Sequence, residues 1–338
     1  MITVYAQQHT LHATDQITVN GQPWITEEIP ARAEIIRRAI TETGLSEIIP
    51  PQDFGMAPIQ AVHDPGLLAY LENIYTINTA LNAGIAAPVF PTTFAARMPR
   101  HSTRSPDGLK GFYCFEIYTP VLAGTWTAAY WSAQCALTAA GILGAGAQSA
   151  YALCRPPGHH AAYDLYGGFC FLNNAAIAAR SLGARTAILD IDYHHGNGTQ
   201  ELFYQDPHTL YCSLHADPDE EYPFFWGGAD ETGAGAGLGM NYNLPLQRGT
   251  GDETYLAALE LALKRIQDFV PRYLVVSLGL DIAAGDPVGG FNISVEGMAE
   301  IGRRIRAIEL PTLIVQEGGY HLDVLGSYAL AFLSNFKG

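Results

Sequence analysis

The chain has 338 residues, and its 18 Lys and Arg against 33 Asp and Glu leave a formal net charge of −15 at pH 7. That balance repels polyanions and excludes nucleic acid as an expected partner. Charged residues make up 15% of the chain, against about 25% in an average soluble domain, and 48% are hydrophobic, which excludes intrinsic disorder and demands a large buried core.

In chain order, an apolar strand at 2–5 meets Gln7, Gln8 and His9 before a signal-peptide apolar region can build up. A helix follows at 31–42, led by Pro30, and another at 65–81. Residues 83–124 are rich in Pro and Gly and read as a long functional loop without structure of its own, carrying Arg97, Arg100, His101, Arg104 and Lys110. Then come a helix at 126–143, strand 149–153, helix 173–181, and strands 186–191 and 209–214. The segment 216–239 holds Asp217, Asp219, Glu220, Glu221, Asp230 and Glu231 with no basic residue. Helix 253–269, strand 273–278, helix 295–308, strand 312–316 and helix 322–336 close the chain.

Strand and helix taking turns predicts a mostly parallel sheet covered on both faces, folded as one unit over 1–338. Ligands of such sheets bind outside the carboxyl ends of the strands. No stretch approaches the ~18 uninterrupted apolar residues of a membrane span, so no membrane is expected and a cytoplasmic location is. The five cysteines, Cys114, Cys135, Cys154, Cys170 and Cys212, show no C-x-x-C pair and read as buried thiols.

Four clusters sit where those strands end. After strand 186–191, Asp190, Asp192 and His194 recur at period two, so an extended backbone would aim all three one way, as N/O ligands of Zn²⁺ or another borderline divalent ion. Strand-end carboxylates capping a turn are the plainer alternative. After strand 149–153, His159 and His160 follow a Pro156-Pro157-Gly158 turn that holds them in place, as a general acid or base requires. Asp281 lies just past strand 273–278, and Tyr320 follows Gly318-Gly319 after strand 312–316.

Together, Arg155-Pro156-Pro157-Gly158-His159-His160, the run from Asp190 to Thr199, Asp281 with Gly285-Asp286-Pro287, and Glu317-Gly318-Gly319-Tyr320 resemble the zinc-dependent histone deacetylase superfamily. Within it the chain is most similar to bacterial acetylpolyamine amidohydrolases, through Gly124-Thr125-Trp126, residues 167–174 and Ser213-Leu214-His215. The resemblance implies a three-layer α/β/α arginase/deacetylase fold around an eight-stranded, mostly parallel sheet. It implies one metal held by Asp192, His194 and Asp281, with Zn²⁺, Fe²⁺ and Co²⁺ all compatible with such donors. Asp190 would orient His159, and His160, paired with Asn197, would take a proton from the attacking water and return one to the leaving amine. Tyr320 would donate to the oxyanion. The same resemblance implies K⁺ near Asp190, Asp192, His194, Ser213 and Leu214, substrate-tunnel walls at Phe169 and Tyr222, and a homodimer.

The implied reaction is removal of an acyl group, acetyl first, from a small N-acylated amine. Asp107 and Tyr118 fall where the similar enzymes have acids for the substrate's distal ammonium, with Glu116 beside them. The acidic segment 216–239 is expected on the tunnel rim. A protein acetyl-lysine deacetylase, a hydrolase of another small amide, a non-catalytic sensor and a two-metal ureohydrolase are the competing readings.

Overall fold

The computed structural model describes residues 1–19, 22–23, 25–95 and 103–337. Arg97, Arg100 and His101 lie outside the described residues. In chain order the strands are β1 (Ile2–Tyr5), β2 (Thr18–Val19), β3 (Gln22–Pro23), β4 (Glu47–Ile49), β5 (Ser149–Leu153), β6 (Thr186–Asp190), β7 (Thr209–Ala216), β8 (Asn241–Leu246), β9 (Tyr273–Leu278) and β10 (Thr312–Gln316). β2 and β3 form a small antiparallel ribbon. The other eight make one sheet in the order β4-β1-β5-β10-β9-β6-β7-β8, with every neighbouring pair parallel.

The sheet is apolar on both faces because alternate residues of each central strand enter different cores. Ala187, Leu189, Leu274, Val276 and Ile314 pack with helices Ala31–Thr43, Asp252–Phe269, Val295–Arg306 and Leu322–Leu333. Ile188, Val275, Leu313 and Val315 pack on the other side with helices Pro65–Leu81, Thr125–Gly144 and Asn174–Ser181. This is the expected α/β/α sandwich. Local sequence starts these helices: Asp64 accepts from the amides of Gly66 and Leu67, Asn173 from Ala176, and Ser294 from Gly297. All five cysteines are buried and free.

Three expectations change. The 83–124 segment is not structureless: Pro106–Tyr113 is helical behind Ser105 and Pro106, and Val89 bridges Val121 across the segment. Strand β6 stops at Asp190, because Asp190 and Asp192 turn back to accept the amides of Asp192 and His194, at 3.2 and 3.0 Å. Period-two convergence therefore fails after Asp190. The acidic segment is not a bare negative rim either, since Glu221 pairs with Arg248, Asp217 accepts from Gln247, and Glu231 turns inward to the Gln200 side chain and the Gly227 amide.

Candidate active site

Because the sheet is parallel, the ends of β5, β6, β7, β9 and β10 open on one edge, and the loops after them meet there. Asp192 and His194 come from the β6 loop and Asp281 from the β9 loop. His194 Nδ1 lies 3.3 Å from Asp192 Oδ1 and 3.1 Å from Asp281 Oδ2. One donor atom from each of the three falls within 4.8 Å of the others, and all three residues are buried. Two carboxylates and an imidazole without thiolate fit a divalent cation such as Zn²⁺.

The electrostatics point the same way. Burial and then the neighbouring Asp192 raise the Asp281 carboxyl above its usual range. Burial lowers His194, but its contacts with Asp192 and Asp281 prevail and lift it to about 10. Dense buried negative charge of this kind is stabilised by a cation. Asp190 stands apart from the triad: its Oδ2 accepts from Tyr211 at 3.0 Å and faces His159 Nδ1 at 3.1 Å. Among the described residues, Asp192, His194 and Asp281 form the one group of donors close enough to hold a metal ion.

The two histidines on the β5 loop are tuned in opposite directions. His159 lies between Asp190 and Asp192; burial disfavours its charge, but those carboxylates outweigh burial and raise it to about 10. For His160, burial and then the neighbouring His159 and His194 drive the imidazole well below its usual range. Its Nδ1 is 2.7 Å from Asn197 Oδ1, which fixes that nitrogen as the N–H and leaves Nε2 as a base. One imidazole pushed toward its neutral form and one toward its charged form, with ring centroids 4.0 Å apart, are suited to act as an acid–base pair.

Tyr320 reaches the same pocket from the β10 loop. Its ring lies 4.3 Å under the Arg32 guanidinium, and burial keeps the phenol protonated, with Arg32 opposing. Arg32 also donates to the carbonyls of Gly319, at 2.5 Å, and Glu317, at 2.7 Å, so the two glycines are held and not loose. The pocket has a volume of about 260 Å³, and Phe169, Tyr222 and Tyr320 wall it. Gly168 is required beside Phe169: at φ +57°, a Cβ there would lie 2.3 Å from His160 Cδ2.

The outer residues divide. Glu116 and Tyr118 line the pocket, and Glu116 is the one acid in that lining among the described residues. Its carboxylate accepts from the Gly168 amide at 3.1 Å and also from Tyr118 N and Thr119 Oγ1; burial raises its pKa while these hydrogen bonds oppose. Asp107 is outside the lining, 75% exposed and 2.8 Å from Lys110. Ser213 sits opposite Asp190 in the β6–β7 register, followed by Leu214.

Sequence reasoning gave no role to the support behind the site. Arg155, Glu28 and Arg32 form a fully buried ion cluster, with Arg155 Nε to Glu28 at 2.8 Å and Arg32 to Glu28 at 3.0 Å. Glu317 accepts the Gly158 and His159 amides at 2.7 and 3.2 Å, pinning the β5 loop to the β10 loop.

Comparison with known proteins agrees. The histone deacetylase domain family matches residues 26–336. Acetylpolyamine amidohydrolase 1 of Pseudomonas aeruginosa is 44% identical across 100% of this chain and 99% of its own length. Acetylpolyamine amidohydrolase of Mycoplana ramosa is 40% identical over 96% of each chain. The crystal structure of acetylpolyamine aminohydrolase from Burkholderia pseudomallei superposes with a TM-score of 0.94 at 41% identity, covering 99% of this chain and 98% of that one. No helix among the described residues is long and apolar enough to cross a membrane. With its fold, its buried Asp-His-Asp group and these full-length matches, the chain belongs to the histone deacetylase family.

Proposed function

We propose that this protein is an acetylpolyamine amidohydrolase, hydrolysing the acetyl amide of a small N-acetylated amine. The observation that carries the reading is one aromatic-walled pocket onto which Tyr320, His160, His159 and His194 of the metal-ligand group all open. The named relatives cover the whole chain, which favours their small substrates over a protein acetyl-lysine.

In this reading Asp192, His194 and Asp281 hold Zn²⁺, with Fe²⁺ and Co²⁺ as chemically acceptable substitutes. Bound there, the ion supplies Lewis acidity, polarising the acyl oxygen and easing deprotonation of a water near neutral pH. His160 Nε2 takes the proton of the attacking water, while Asn197 holds its Nδ1–H. The Tyr320 hydroxyl donates to the acyl oxygen as negative charge develops on it. The histidine pair then returns a proton to the leaving amine. Phe169 and Tyr222 clasp the methylene chain, and Glu116 is the acid best placed to face a distal ammonium, since Asp107 lies outside the pocket lining. We also assign K⁺ to Asp190, the backbone carbonyls of Asp192, His194 and Leu214, and Ser213, and a homodimer to the protein in solution.

The test compares initial rates on N-acetylputrescine, N-acetylcadaverine and an acetyl-lysine peptide, using protein stripped by a chelator and reconstituted with one metal at a time. Faster turnover of the diamines, with about one transition metal per chain, is expected; faster turnover of the peptide overturns the substrate reading. Light scattering reads the dimer, and thermal melts in K⁺ against a non-binding cation read the monovalent site.

A further inference from the structure

Asp286 lies in the loop after β9, five residues beyond Asp281, and is buried, in no ion pair among the described residues. Its carboxylate is instead spent on four backbone amides of two loops. Oδ1 accepts from Val288 at 2.9 Å and Gly289 at 3.1 Å, within its own loop. Oδ2 crosses to the β10 loop and accepts from Tyr320 at 2.7 Å and His321 at 2.9 Å.

The amide of Tyr320 is thus fixed by Asp286, while the carbonyl before it, on Gly319, is fixed by Arg32. The peptide carrying the phenol is gripped from both sides. Gly319, at φ +118°, has no conformational preference of its own to supply this hold. Val288 lines the pocket as Tyr320 does, and one carboxylate holds the backbone amides of both. Gly289, the fourth amide donor, backs onto the metal-ligand loop so closely that a Cβ there would lie 1.8 Å from the Asp281 carbonyl oxygen.

We infer that Asp286 is a positioning residue, which ties the β9 loop to the β10 loop through four amides and so holds the Tyr320 hydroxyl against the reacting acyl oxygen. It does not touch substrate. The inference rests on the proposed amide hydrolysis, and it makes a distinction that a structural role would not. Replacing one oxygen by an NH₂ group, as in Asp286→Asn, leaves two amide donors facing a donor and lets one loop move against the other. A displacement of about 1 Å at a catalytic group costs about 100-fold in rate.

Two measurements decide it. In the metal-loaded enzyme, Asp286→Asn should lower kcat on N-acetylputrescine by about 10- to 100-fold, with KM within about twofold and metal content unchanged. In a Tyr320→Phe background the same change should add less than about twofold, because the group it positions is gone. An equal loss in both backgrounds overturns the inference, as does a loss that follows metal content. Should the variant not fold, hydrogen exchange on the wild-type protein still decides: the Val288, Gly289, Tyr320 and His321 amides should be protected like strand amides although none is in a helix or strand. Rapid exchange of the Tyr320 and His321 amides overturns it. Failure of the underlying reading is seen separately, as absence of acetyl amide turnover by the wild type.

Discussion

Beneath the floor of the pocket Asp190, Asp192, Asp281 and Glu317 are fully buried, and each spends at least one oxygen on a group from another part of the chain: Tyr211, the Gly318 amide, the Tyr193 amide and the Gly158 amide. At the rim Asp107 pairs with Lys110 three residues away, and Glu221 pairs with an Arg248 that is 63% exposed. A floor carboxylate cannot move without unsatisfying a buried donor from another part of the chain, whereas a rim carboxylate can exchange its partner for water at little cost. The floor therefore carries geometry and the rim carries adjustable charge. The net charge of −15 is consequently a poor guide to the tunnel entrance, because Glu221 is neutralised locally by Arg248 and Glu231 is turned inward.

The largest test of the floor is Tyr320→Phe. Removing the hydroxyl leaves the ring, its Arg32 contact and the Asp192, His194 and Asp281 group untouched, so metal content should equal that of the wild type. Turnover should fall by about 100- to 1,000-fold, the usual loss for one oxyanion donor. Steady-state kcat with metal analysis checks this; wild-type turnover would remove Tyr320 from the chemistry and leave the floor as a binding site only.

The floor was also the legible part of the sequence, and the reason is physical. Strands β5, β6, β9 and β10 are continuous apolar runs, buried on both faces, and a polar residue just past such a run has to lie on the carboxyl-end edge of a parallel sheet. His159, Asp192, Asp281 and Tyr320 were found in that way. Asp190 shows the limit: alternation holds only while the backbone stays extended, and the carboxylates themselves bend it by capping the amides that follow. The edge strands β4 and β8 escaped notice, since β4 has three residues and β8 contains Pro245, which weakens any strand pattern. The helix Pro106–Tyr113 was hidden by glycines at 108 and 111, and Gly111 is there because a Cβ would lie 1.5 Å from the Thr93 carbonyl oxygen. Buried supports such as Glu28 with Arg155 have no sequence pattern, because their partners are 127 positions apart.

Glu116 stands where floor and rim meet, and Glu116→Gln separates its two possible contributions. As a counter-charge it would favour an ammonium, and as an acceptor for Gly168 N–H it supports the wall at Phe169. We expect kcat/KM on N-acetylputrescine to fall about tenfold, a loss typical of one hydrogen bond to a charged group, and to fall less on neutral N-butylacetamide. Equal losses on both would assign Glu116 to the wall alone.

Glu34 offers the same comparison outside the pocket. Its carboxylate accepts from Tyr5 at 2.5 Å, faces His9 Nε2 at 3.0 Å and accepts from Arg37 at 2.8 Å. Burial opposes its ionisation, but these hydrogen bonds prevail and hold it at about 2, below the ordinary 4.5. A folded pKa below the unfolded one contributes stability that is full above about 4.5 and is lost as pH falls toward about 2. Glu34→Gln should thus cost at most about 1 kcal/mol at pH 7, as for a largely exposed ion pair, and the difference from wild type should shrink below pH 4.5 in urea melts. A pH-independent difference would point to packing.

Asp107→Asn should be the quietest change. The carboxylate is in water and its ion pair with Lys110 spans one helical turn, a contact worth only about 0.5 kcal/mol. Lys110 keeps a second anchor at Asn78 Oδ1, 2.8 Å away, so the helix Pro106–Tyr113 should stay seated. We expect kcat/KM on N-acetylputrescine within about twofold of wild type at low and high salt alike. A larger, salt-sensitive loss would mean that Asp107 reaches a substrate after all, and within one chain it does not line the pocket. The carboxylate would then act in the tunnel of a second copy, and the loss should disappear on dilution to monomer.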